Sequence, residues 1–266
     1  MSKTVLTVNY SLTGATSGIG YHLAQLFAKD RYNLVLVART EQDLLNVKDE
    51  LRYKFSAAVK IIPKDLSKIG AAQEIFNETQ QQGILVDVLV NDAGIGDVGF
   101  FWDIPFEKDL EMIQLNIIAL VHLTKLYLSE MLQRNEGKIL QLGSVVSSVP
   151  APLQAVYSAT KAFVSNFTDA LINELKDSKV TMTLLSPGQT QTDFFNKAHA
   201  SDTKIAQPDS TDDPEKVAER GYKALMKGQH HEYGSRMRKI QVGVSHILPN
   251  ELTTAQLRSD MKKVDK

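Results

Sequence analysis

Tyr157 and Lys161 stand four positions apart in "QAVYSATKAFVSNF", and an α-helix of about 3.6 residues per turn brings positions i and i+4 to one face. A phenol beside an ammonium can exchange a proton with a bound oxygen. Free tyrosine titrates near 10 and is a poor base at neutral pH. One cation at about 4 Å, in an effective dielectric of about 20, is worth roughly 4 kcal/mol, or about three pKa units. The spacing therefore predicts a tyrosine drawn toward neutrality by Lys161 and fit for acid–base work. The competing reading is a wet helix surface, where the two residue types meet by chance.

Chemistry of this kind needs a rigid frame. Short apolar runs recur along the chain: "NLVLVAR" (33–39), "AVKIIPKDL" (58–66), "VDVLVNDAG" (86–94), "GKILQLGS" (137–144) and "VTMTLLSPG" (180–188). Continuous apolar runs suit strands buried on both faces. Helix-period stretches lie between them, at 20–30, 41–55, 70–82, 106–134 and 158–176. Near the end, Asp213 before Pro214 supplies an N-cap and first-turn pair for a further helix. Such alternation predicts βαβ units in an α/β fold, a doubly wound parallel sheet in three α/β/α layers. With no internal repeat or linker, residues 1–266 read as one domain. The first strand, "TVLTVNYSL", is unusual in carrying Asn9, Tyr10 and Ser11. The tail after Gly234 offers little beyond a helix near 251–263.

"TGATSGIG", Thr13 to Gly20, falls between the first strand and the first helix. Glycines there let the backbone approach a pyrophosphate, which the helix N-terminus receives with unpaired N–H groups and partial positive charge. Gly14, Ser17, Gly18, Ile19 and Gly20 are the candidate contacts. The spacing Gly-x-x-x-Gly-x-Gly departs from the commonest dinucleotide fingerprint. A carboxylate closing the second strand would bind a ribose 2′-hydroxyl, but the chain reads Ala38-Arg39 there. Arg39 can pair with a 2′-phosphate, so the sequence predicts NADP in preference to NAD. Asp65, ending the third strand, is placed to touch the adenine edge or to cap the following helix.

Taken together these residues resemble the short-chain dehydrogenases/reductases, in their common short form. "TGATSGIG" is similar to that family's cofactor turn, and "NDAG" (91–94) to its Asn-Asn-Ala-Gly segment, with Asp92 as a departure. Asn116 in "IQLNIIAL" matches the family's helix asparagine. Ser144 lies thirteen residues before Tyr157, and "SPGQTQT" (186–192) matches the Pro-Gly segment beside nicotinamide. The resemblance implies a Rossmann fold and hydride transfer between nicotinamide and a carbonyl or secondary alcohol, with Asn116, Ser144, Tyr157 and Lys161 as the catalytic set. It further implies cofactor contacts from Leu66, Asn91, Ala93, Gly94, Tyr157, Lys161, Pro187, Gly188, Thr190 and Thr192. Ser144 would hold the substrate oxygen, and Asn116 a water linking Lys161 to solvent. Residues 193–210 would form a substrate lid. Phe101, Trp102, Pro150, Pro152, Phe194 and Phe195 are candidate walls, favouring an apolar carbonyl. The helices at 106–134 and 158–176 would join subunits into a homodimer or homotetramer.

Composition narrows the alternatives. Lys+Arg totals 30 against Asp+Glu 31, so no basic excess points to nucleic acid. Without cysteine there is no disulfide, thiol nucleophile or Cys-ligated metal. The histidines have no metal-like spacing, and no metal is expected. No uninterrupted apolar run reaches about 18 residues, and the N-terminus is too polar for a signal peptide, so a cytoplasmic location is expected with no membrane partner. "KDEL" at 48–51 is internal and cannot act as an address. Two rival functions remain: a sugar-nucleotide epimerase or dehydratase, which would need a larger C-terminal substrate region, and a non-catalytic dinucleotide sensor, which has no use for a tuned tyrosine.

Overall fold

The computed structural model describes residues 3–8, 18–191, 198, 211–235, 254–255 and 257–259. They build one parallel sheet in the order β3-β2-β1-β4-β5-β6-β7. The strands are β1 (Thr4–Val8), β2 (Asn33–Ala38), β3 (Val59–Pro63), β4 (Val88–Asn91), β5 (Gly137–Leu142), β6 (Val180–Ser186) and β7 (His231–Tyr233). The helices are α1 (Ile19–Lys29), α2 (Glu41–Phe55), α3 (Ala71–Gln81), α4 (Phe106–Ile113), α5 (Leu120–Gln133), α6 (Ala155–Glu174) and α7 (Pro214–Met226). Strand order reverses where β1 meets β4, so the C-terminal strand ends open a crevice there.

The apolar runs form strands because both faces are covered. Alternate residues of β2 divide between two cores: Leu34, Leu36 and Ala38 pack with α1, α2 and α7, while Val35 and Val37 pack with α3 and α5. Each fully buried leucine stabilises the fold by about 1.5–3 kcal/mol. Phe27 of α1 makes edge contacts to Tyr32 and Tyr222, at 5.3 and 4.9 Å between ring centres, fixing α1 against α7. Asp213 caps α7 by accepting from the Glu215 N–H at 2.9 Å, with Pro214 in the first turn.

The described part of β1 is Thr4–Val8, and the polar run Asn9, Tyr10 and Ser11 lies outside the described residues. Two features differ from the sequence expectation. β7 is a three-residue polar edge strand, "HEY", pairing with Leu184–Ser186, too short and charged to register as an apolar run. The single helix expected at 106–134 is α4 and α5 joined through a π-helical stretch, Gln114–Ala119. By length and composition this Phe106–Gln133 helix could cross a membrane. Here Leu115, Ala119, Leu123, Tyr127 and Met131 instead pack into the core beneath the sheet.

Candidate active site

The helix that carries Tyr157 and Lys161 is not wet on that face. α6 buries Tyr157, Ser158, Thr160, Lys161, Val164 and Thr168 along one stripe, leaving Tyr157 9% and Lys161 4% exposed. Ser144, at the end of β5, caps the 3₁₀ turn Val145–Ser148, its Oγ accepting from Val146 N–H at 3.4 Å. The Ser144 and Tyr157 side chains are hydrogen-bonded to each other. Lys161 Nζ donates to the Leu142 carbonyl at 2.8 Å and stands 6.0 Å from the centre of the Tyr157 ring.

Burial pushes the Tyr157 phenol up to about 12, against the opposing hydrogen bond from Ser144. Burial likewise pushes the Lys161 ammonium down to about 8, against the charge of Asp92. The expected drop of the tyrosine toward neutrality is therefore not present in this arrangement. The physical reason is placement. The ammonium is turned to the Leu142 carbonyl, and the desolvated phenol holds its proton.

The π-helical stretch aims Asn116 inward, where it is 1% exposed. Its Oδ1 accepts from Ile95 N–H at 3.0 Å, and its Nδ2 donates to the Ile95 carbonyl at 2.9 Å and to Thr160 Oγ1 at 3.0 Å. Asn116 thus locks the segment after β4 to α6. A Cβ on Gly94 would lie 3.3 Å from both Asn116 Oδ1 and Lys161 Nζ, so only glycine leaves this approach unstrained. Thr160, which sequence reasoning passed over, is the hinge of this contact. Its one signal was its position beside Lys161 on the buried stripe.

The remaining candidates separate into cleft and core. Gly18 precedes α1 with φ 87°, a conformation suited to glycine, and gives the helix no side-chain cap. The first turn of α1 carries no acidic residue, leaving amide groups to receive an anion. Gly20 is buried there, one residue after Ile19, whose side chain belongs to the core. Leu66 is also a core side chain, and Asn91 directs its amide to Thr124 and Gln141 at 3.1 and 3.0 Å. Any cofactor contact from Ile19 or Leu66 therefore comes from the backbone, whereas Asn91 Oδ1 is buried without a hydrogen-bond partner. Ala93 packs partly on the core.

Pro187 accepts from Val145 N–H at 3.0 Å, tying the Pro187-Gly188 segment to the serine turn. Thr190 Oγ1 donates to the Gly188 carbonyl at 3.1 Å, and Thr190 pairs with Asp212. Gly14, Ser17, Thr192, Phe194 and Phe195 lie outside the described residues, as does the lid at 193–210 apart from Ala198.

At the other end of the crevice a cavity of about 330 Å³ is lined by Arg39, Pro63, Lys64, Asp65, Lys68, Ala71 and Glu74, with Lys64 paired to Glu74 at 2.7 Å. Arg39 lies 3.9 Å from Glu111 of α4. Asp65 Oδ1 accepts from the Ser67 N–H at 3.0 Å and its hydroxyl at 2.7 Å. Burial alone would raise this carboxyl, but those bonds and the charges of Lys68 and Arg39 hold it below its ordinary value. Asp65 thus holds the turn at Ser67 and does not cap the following helix, since α3 starts at Ala71 behind Gly70 with no side-chain cap. Among the described residues no group of three or more acidic, His or Cys side chains could hold a metal.

These features fit an extended dinucleotide: an uncapped helix start behind a glycine of positive φ, a glycine approach beside Lys161, and a cavity at the far end that carries Arg39 and Lys68. Comparison with known proteins points the same way. The short chain dehydrogenase family model matches residues 9–203. A very-long-chain 3-oxoacyl-CoA reductase of Laccaria bicolor is 34% identical over 175 residues, 64% of this chain and 51% of that protein, so the match spans about half of the relative's length. A short-chain dehydrogenase from Sphingobium yanoikuyae in complex with NADPH superposes with a TM-score of 0.81 at 25% identity, covering 99% of this chain and 98% of the other. One from Burkholderia phymatum in complex with NAD gives 0.79 at 20% identity, over 99% and 98%.

Proposed function

Since the chain belongs to the short-chain dehydrogenase/reductase family of oxidoreductases, we propose that it is an NADP-dependent reductase of apolar carbonyl compounds, with Tyr157 as proton donor. The observation that carries this reading is the buried, protonated Tyr157 hydrogen-bonded to Ser144. The bound nicotinamide would supply the hydride. Reduction then needs a proton on the substrate oxygen, and a neutral phenol can give one, because an alkoxide is far more basic than a phenolate. Ser144 would hold the oxygen as its charge develops. Lys161, kept charged near neutral pH beside Asp92, would stabilise the phenolate left behind and return a proton to it, with Asn116 ordering the path to solvent. In the reverse direction the same residue would take the proton back.

NADP is favoured by Arg39 and Lys68 around the far cavity and by the NADPH complex of the Sphingobium relative. An apolar substrate is favoured by the mouth of the crevice. There Phe100 and Trp102 stack at 4.9 Å, largely exposed, and Gly99 N–H holds the Leu153 carbonyl at 2.9 Å. The Laccaria relative is named for a long-chain acyl substrate. Ile118, Leu132 and Phe163 remain exposed on α4–α5 and α6, as surfaces that a second copy would cover in a dimer or tetramer.

The test is consumption of NADPH and NADH across carbonyls of graded apolar size. The proposal expects NADPH-driven reduction that improves with apolar bulk. No turnover on any carbonyl would overturn it, and equal use of both nucleotides would overturn the cofactor assignment.

A further inference from the structure

The turn ahead of α6 is fixed more tightly than a connection needs. Leu153 has φ 65°, a left-handed conformation that a bulky side chain disfavours. The peptide between Leu153 and Gln154 is held from both sides. Its carbonyl accepts from Gly99 N–H at 2.9 Å, and its N–H donates to the Ala151 carbonyl at 3.1 Å. The Gln154 carbonyl then accepts from Ser158 N–H at 2.8 Å, which starts the bonding of α6. Gln154 stands at the N-cap, where Ser, Thr, Asp or Asn is favoured, and its side chain makes no capping bond. The residue is only 4% exposed, yet its amide has no hydrogen-bond partner among the described residues and is not sealed from solvent. A strained, pinned turn therefore holds a buried amide that neither caps the helix nor pairs with the protein.

Gln154, Tyr157 and Lys161 stand at i, i+3 and i+7, so Gln154 begins the buried stripe that the other two share. Side chains on a helix lean toward its N-terminus. Tyr157 therefore covers the turn that opens at Gln154, while Lys161 lies behind it, with Nζ 6.0 Å from the Tyr157 ring centre. Gln154 flanks the phenol on the side away from the lysine. We infer that Gln154 is a specificity-determining residue: its amide donates to a second oxygen of the substrate, within about one helical turn, or about 5.4 Å, of the oxygen that Tyr157 protonates. The preferred substrate is then a carbonyl compound with a further carbonyl two carbons away, as in a 3-oxo ester, in place of a simple ketone. A ketone displaces water from the amide and gives it no partner in return. The inference rests on the proposed reductase and narrows its substrate class.

Ethyl 3-oxohexanoate and nonan-4-one share chain length and the place of the reacting carbonyl, and only the first carries the ester group. Gln154→Met keeps the length of the side chain without its amide, and Gln154→Glu keeps the shape but loses the donor when ionised. The readout is the change in kcat/KM preference for the ester over the ketone, which cancels the unequal reactivity of the two carbonyls. Both variants should cut that preference by about tenfold or more. Equal losses on the two substrates, with the preference intact, are what a purely structural role gives, and would overturn the inference. Calorimetric titration of both compounds into enzyme loaded with NADP+ repeats the comparison without turnover. The ester should bind the parent more tightly than the ketone does, and Gln154→Met about tenfold more weakly than the parent. An ester with no advantage in the parent, or an advantage unchanged in the variant, would overturn the inference. No reduction of either compound would sink the reductase reading, and the calorimetric comparison would still decide this one.

Discussion

Arg39→Ala separates the two nicotinamide nucleotides by an amount the site geometry sets. A charged hydrogen bond to phosphate contributes about 1.5–3 kcal/mol net. Arg39 retains 33% of its side-chain surface, and Glu111 at 3.9 Å already takes part of its field. Both facts argue for the lower end, about 1.5–2 kcal/mol, or roughly 10- to 30-fold in affinity. NADPH should therefore bind about 10- to 30-fold more weakly to Arg39→Ala, with NADH within about twofold of the parent. Glu111→Gln should act in the opposite sense. Two unit charges about 4 Å apart in bulk water interact by about 1 kcal/mol, so freeing Arg39 should tighten NADPH by about fivefold. Fluorescence titration of both nucleotides at low and high salt measures this, and added salt should shrink the NADPH advantage. Equal losses for NADPH and NADH, or no loss for either, would refute the assignment of Arg39 to a 2′-phosphate.

Other expected outcomes follow from the same geometry. Because burial holds Lys161 near 8, the ammonium is present below that pH and lost above it. kcat/KM for reduction should accordingly fall above about pH 8, as a pH–rate profile would show. Gly94→Ala places a methyl group 3.3 Å from Lys161 Nζ and Asn116 Oδ1; it should lower kcat/KM by about tenfold or more with a small change in Tm, measured by kinetics and thermal unfolding. Thr124→Val removes the oxygen that accepts from Asn91 and Gln141 at 3.1 and 2.9 Å. It leaves two buried amides short of a partner, so chemical denaturation should show a loss of about 1–3 kcal/mol for each. Light scattering should give a particle of two or four copies of the 29.5 kDa chain; a monomer at micromolar concentration would contradict the subunit proposal.

The sequence made the frame legible because its strands are buried on both faces. "NLVLVA" divides its side chains between two cores, as a continuous apolar run should. The Tyr157–Lys161 spacing likewise placed both groups on one helix face. That spacing did not say where the ammonium points, and the Leu142 carbonyl decides it. The π-helical stretch around Asn116 changes which carbonyl each N–H meets and leaves no trace in composition. β7 is invisible to an apolar search because an edge strand of three residues needs no apolar run. Motif matching also could not tell backbone from side-chain contact, which is why Leu66, Ile19 and Asn91 fit the cofactor pattern while their side chains serve the interior.

The most direct test of the account is single-turnover reduction of an accepted carbonyl by enzyme preloaded with NADPH, comparing the parent with Tyr157→Phe. A phenylalanine keeps the ring and removes the only proton that the phenol could give, so the step should slow by about 10²- to 10⁴-fold while NADPH affinity stays within about twofold. A variant that reduces the carbonyl within about threefold of the parent rate would show that the proton comes from elsewhere.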